Sequence, residues 1–145
     1  MNAIKNLIKN IVFLFLSREK KEVIETLQAY ADAFMTFDPE NAIGYFEMPM
    51  LYLSDDSVKV FESSKEILAY VGEVMNDLKA NNYAKDVLSK FHIKSLTPTV
   101  AVTSFNLVRI DSDGDAFAHM GAMYTWRKTQ GSWKVAIGVL LSHPH

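Results

Sequence analysis

The chain has 145 residues, 49% of them hydrophobic, and a formal net charge of -2. That is one domain's worth of sequence with enough apolar material for a core, and with no Lys/Arg cluster beside its aromatics nucleic acid is not an expected partner. It contains no cysteine, which excludes disulfides, thiolate metal sites and a cysteine nucleophile.

At the N-terminus, Ile4, Leu7, Ile8, Ile11, Val12 and Phe15 fall on one helical face, opposite Asn2, Lys5, Asn6 and Lys9. The spacing predicts an amphipathic helix over residues 1–21 that docks on protein. Its apolar run is too short to span a bilayer, and the charges from Arg18 to Glu22 follow too closely for a secretory leader. The single domain is expected over residues 22–145. Its main helix is read from Glu22 to Phe37, through Val23, Leu27, Tyr30, Phe34 and Phe37.

Asp38-Pro39-Glu40 is the start signal of a second, short helix, with Asp as cap and Pro at the first helical position. Pro49 stops it, and Met50 to Leu53 and Val58 to Phe61 read as short strands about the SDDS turn. Ser63 to Glu66 forms a capping box for a third helix. Ile67, Leu68, Val71, Val74, Met75 and Leu78 give that helix its buried stripe, and Asn81-Asn82 end it. Tyr83 to Leu96 is a strand, and Thr99 to Ser142 is three more, folded at Asp113-Gly114 and Gln130-Gly131, where Gly after a polar residue suits hairpin turns.

If both turns have two residues, the strand faces separate. One carries Ser104, Asn106, His119, Gly121, Met123, Ala136 and Gly138, small or polar residues that suit a pocket wall. The other carries Phe105, Leu107, Arg109, Tyr124, Trp126 and Ile137, bulky residues that suit a helix or a partner subunit. A one-residue slip would exchange these assignments.

The order ααββαββββ, with the local markers FDPENAIGYF and GSWKVA, resembles the nuclear transport factor 2-like superfamily, which includes ketosteroid isomerase and the SnoaL-like cyclases. The resemblance covers roughly Glu22 to Ser142. It implies an α+β, cystatin-like fold, a cone-shaped curved antiparallel sheet wrapped around the long helix, with a pocket at its open end and dimerisation through the sheet. Compared with the isomerase, Tyr30 stands where its phenolic donor lies. Its general-base position falls at Ser54, with Asp55 adjacent, and its second acid falls at Met123 or Tyr124. The chemistry is therefore expected to differ.

The expected function is binding of a small, largely apolar molecule in the cone of a cytoplasmic homodimer, with Phe34, Tyr52, Ser104, Asn106, Met123 and Gly138 as ligand-binding residues. Two alternatives stand beside it. One is a cofactor-free isomerase, cyclase or dehydratase with His119 and Tyr30 as acid and base; the other is an interaction module without a ligand. His119 also has a plainer reading as a rim histidine bonded to a hydroxyl or carbonyl, and Tyr30 as a helix-stripe residue with its hydroxyl bonded locally. Arg109 and Arg127 read as edge or interface residues. The Asp111, Asp113, Asp115 run lacks calcium-loop spacing and reads as a hairpin turn. No cofactor, metal site or membrane span is expected.

Overall fold

The computed structural model describes residues 13–144. Most of the expected N-terminal amphipathic helix lies outside the described residues; within them, Phe13 and Leu16 pack against the core. The long helix α1 runs Arg18–Phe34, so residues 18–21 belong to it. Ser17 sets its start, its side chain accepting from the Lys20 backbone N–H at 3.3 Å, a local stop to the preceding segment that apolar spacing alone does not reveal. Val23, Ile24, Leu27, Tyr30 and Ala33 form the buried stripe.

Asp38 caps as expected, accepting from the Glu40 N–H at 3.1 Å. The segment it caps is two single 3-10 turns, Pro39–Asn41 and Ile43–Tyr45, in place of an α-helix. Strand β1 (Phe46–Ser54) starts earlier than expected and runs through Pro49, whose peptide bond to Met48 is cis. After β2 (Val58–Phe61), the helix α2 spans Ser64–Ala80. Ser63 accepts from the Glu66 N–H, while the Glu66 carboxylate accepts from the Glu62 N–H at 2.8 Å, one residue before the partner the capping box predicts.

Strands β3 (Tyr83–Thr97), β4 (Val100–Asp111), β5 (Ala116–Thr129) and β6 (Ser132–Leu141) complete an open six-stranded sheet of order β2-β1-β6-β5-β4-β3. Every pairing is antiparallel except β1 with β6, which is parallel. Parallel neighbours need a long crossover, and α2 with the meander supplies it. The sheet curves around α1. Bulges bend strands and increase their twist, and they fall where β3 passes from Ser89 to His92, with Lys90 at φ 51, and where the β5–β6 pairing shifts between Thr125 and Trp126.

The turn at Gln130-Gly131 has both φ angles positive, 52 and 81 degrees, as a two-residue hairpin turn requires. The other connection is longer. The Asp111 N–H donates to the Asp115 carbonyl at 2.9 Å, and the Asp111 carboxylate accepts from the N–H groups of Asp113 and Asp115. A compensating irregularity between Arg109 and Ile110 leaves the pairs Ser104–Met123, Asn106–Gly121 and Val108–His119 in the expected register.

Strand β6 departs from expectation. Trp126 pairs with Val135 but Thr125 pairs with Ile137, so Ala136 is the extra residue of a bulge. Beyond it Gly138 pairs with Tyr124 and Leu140 with Ala122, on the face opposite to the one a regular strand gives them. The structure also reverses which face is concave. Ala101, Thr103, Phe105, Leu107, Ala122, Tyr124 and Trp126 are buried against the helices, because the larger apolar area lies there and its removal from water is the dominant gain. Met123 and Ile137, each 38% exposed, lie on the outer face.

Candidate active-site cavity

Between α1, α2 and the concave face lies a cavity of about 300 Å³. Leu27, Phe34, Val74, Leu78, Leu88 and Leu107 give it apolar walls, and the exposed residues Asp32, Met35 and Lys85 mark its opening. The deep end is aromatic. Tyr30, from the helix stripe, lies with its ring edge-on to Phe34, Phe46, Tyr45 and Tyr124 at 5.0–6.0 Å between centroids.

Five tyrosines line the space: Tyr30, Tyr52, Tyr70, Tyr83 and Tyr124. The phenols of Tyr30 and Tyr52 lie close enough to that of Tyr124 to interact with it, as do those of Tyr52 and Tyr70 with each other. Burial, the largest cause in each case, pushes all five above the ordinary phenol range. They are therefore neutral hydroxyls that donate and accept, not phenolates.

Two charged residues enter the wall side by side. Asp86 on β3 and Arg109 on β4 are register partners, so both side chains lie on the concave face. Arg109 Nε is 3.9 Å from Asp86 Oδ1, beyond hydrogen-bond distance, and both atoms are buried without a hydrogen-bond partner. Burial raises the Asp86 carboxyl above the ordinary carboxylate range, against the lowering effects of the Arg109 charge and a hydrogen bond with Tyr83.

The raised carboxyl has a stability signature. In the window between the ordinary and the raised pKa the native chain holds more protons than the unfolded chain, so stability falls as pH rises through that window. The unfolding free energy of wild type relative to Asp86→Asn should therefore decline with increasing pH above the ordinary aspartate range. Urea titrations across acidic to neutral pH would test it, and a difference that is flat or rises with pH would count against the burial of Asp86.

Of the residues singled out from the sequence, Tyr30, Phe34 and Tyr52 line the cavity. Gly138 also faces inward, but it is covered: a Cβ there would meet Met50 Cε and Tyr52 Cε2 at 3.2 Å. Ser104, Asn106, His119 and Met123 alternate with the concave residues and lie on the outer face, His119 exposed and Asn106 buried. The structure does not bring His119 and Tyr30 together, since the sheet stands between them. Arg109 and Asp86 are cavity residues that sequence reasoning misses. A lone arginine in the apolar alternation of Phe105 and Leu107 is the available signal.

Among the described residues no group of three or more His, Cys, Asp or Glu side chains could hold a metal ion, and no helix is long and apolar enough to cross a membrane.

Comparison with known proteins places this architecture. The family described as NTF2-like protein (DUF6841) matches residues 19–143. A structure of an NTF2-like protein with a cystatin-like fold from Novosphingobium aromaticivorans is similar at TM-score 0.70 and 16% identity, covering 98% of this chain and 91% of that one. A candidate dehydratase of the NTF2-like family from Streptomyces avermitilis is similar at TM-score 0.68 and 16% identity, covering 86% of this chain and 96% of that one. A candidate calcium/calmodulin-dependent protein kinase II association domain from Xanthomonas campestris gives TM-score 0.64 and 18% identity, covering 88% of each chain. No curated protein matches the sequence.

Proposed function

Because the chain belongs to the NTF2-like family DUF6841, whose fold hosts sites of many kinds, we propose a function from the cavity itself: binding of a small, largely apolar molecule. The observation that carries this reading is the cavity of about 300 Å³ with aliphatic and aromatic walls and a few converging polar groups, the usual constitution of a small-molecule site. Tyr30, Phe34 and Tyr52 are the ligand contacts of this reading, and the phenols orient whatever polar group the ligand carries. The outer sheet face, with Met123 and Ile137 exposed, is the surface proposed for a homodimer; sedimentation as a monomer at micromolar concentration would remove that part.

The test is a thermal-shift screen of small aromatic, steroid-like and polyketide-like compounds against wild type and Val74→Trp. Val74 is a half-buried wall residue of α2, and an indole there fills space the ligand needs. Hits should raise the wild-type melting temperature and leave the variant unmoved, with both proteins folded by circular dichroism. Equal shifts in the two proteins, or no hit on wild type, would defeat the cavity reading.

A further inference from the structure

We infer that the cavity takes a monocarboxylic acid with an apolar body, its carboxylate seated on the guanidinium of Arg109. This deepens the ligand-binding reading above and rests on it.

A guanidinium carries five N–H donors and no acceptor, and Arg109 makes no hydrogen bond to any described residue; its one close charged partner is Asp86, at 3.9 Å. Yet its side chain is only 17% exposed. A largely buried arginine whose Nε–H has no partner is costly, and a carboxylate is the group whose planar pair of oxygens fits its fork. The rest of the wall points the same way. The five phenols can donate to the same oxygens as well as accept, and the Arg109 charge acts on Tyr30, Tyr70, Tyr83 and Tyr124. The remaining walls are apolar and suit a hydrocarbon or aryl body.

Asp86 decides between anions. The titratable and charged groups lining the same cavity are Tyr83 and Lys85 on its own strand, Arg109 on β4, Tyr124 on β5, Tyr30 and Asp32 on α1, and Tyr52 and Tyr70. Asp32 is engaged by Gln28, whose Nε2–H donates to it at 2.8 Å. A second carboxylate placed on Arg109 stands beside Asp86, and two such groups in a half-buried site cannot both stay ionised comfortably. Asp86, already biased towards its acid form by burial, takes up a proton and donates it as a hydrogen bond to the ligand. A dianionic phosphate would double the repulsion that one proton relieves, which is why a monoacid is the fitting class.

The test uses isothermal titration of octanoate and phenylbutanoate, with octanol and phenylbutanol as neutral counterparts, against wild type, Asp86→Asn, and the double variant Arg109→Gln/Asp86→Asn. The double variant leaves no charge of the pair alone in the wall, and its fold is checked by its melting curve. The acids should bind wild type and lose roughly ten- to a hundredfold in the double variant, the loss expected for a hydrogen-bonded charge pair. The alcohols should change little. Titrations of wild type in buffers of different ionisation enthalpy should show proton uptake on binding acid, absent in Asp86→Asn. Acids and alcohols of equal affinity, or acids unaffected in the double variant, would overturn the carboxylate assignment. Alcohols that bind where acids do not would overturn it while sparing the cavity reading, whereas no shift with either class, together with an empty compound screen, would sink both.

Discussion

Trp126→Ala should lower the unfolding free energy by about 3–5 kcal/mol, the usual range for deleting a fully buried tryptophan. The side chain has no solvent exposure. Its Nε1–H donates to Thr103 Oγ1 at 3.0 Å across the β4–β5 pair, and Thr103 is equally buried. The alanine variant thus combines a cavity with an unpaired hydroxyl, and the second places the loss towards the upper end of that range. Trp126→Phe separates the two by keeping much of the volume while losing the N–H. Urea unfolding of the three proteins measures the ordering, wild type above Trp126→Phe above Trp126→Ala. A loss below about 1 kcal/mol for the alanine variant would mean that β5 does not carry the core at this point.

The second large effect is expected at Tyr30, where ring and hydroxyl have different work. Tyr30→Ala removes a ring that sits edge-on to four others at 5.0–6.0 Å and enlarges a cavity already present, for a cost of about 3–5 kcal/mol. Tyr30→Phe keeps the ring and removes only the hydroxyl that meets Tyr124, for a cost of about 1 kcal/mol. A pair of denaturation curves decides it. If the phenylalanine variant is as unstable as the alanine one, the phenol network and not the ring cluster holds α1 to the sheet.

The N-terminal residues from Met1 to Val12, with the apolar stripe read there, lie outside the described residues, and the amphipathic reading concerns the sequence alone.

Local signals survive folding where they depend on a few neighbouring residues. Asp38 and Ser63 cap because a short oxygen-bearing side chain meets backbone N–H groups two or three residues on, whatever the rest of the chain does. Gln130-Gly131 turns because glycine takes the positive φ of its position freely, which lets Gln130 be held at φ 52, a region its side chain disfavours. From the β4–β5 alternation the pairing of Asn106 with Gly121 and of Val108 with His119 was legible, and so was membership of the fold class, from element order and length. Tyr30, Phe34 and Tyr52 were legible as cavity residues because each belongs to an apolar stripe that the core must use.

Tertiary structure decided the rest. One bulge at Ala136 moves Gly138 and Leu140 across the sheet, and nothing local marks it, since alanine is permitted in a regular strand as well as in a bulge. Which face became concave was settled by where α1 and α2 pack: the bulky face offers more apolar area to bury, so the polar face with Ser104, His119 and Met123 was left outside. Asp86 and Arg109 lie far apart in the chain and meet only because β3 and β4 pair in one register. A charge pair made by strand pairing has no spacing of its own in the sequence, and its chemistry exists only once the sheet is folded and the helices have closed one side of it off from water.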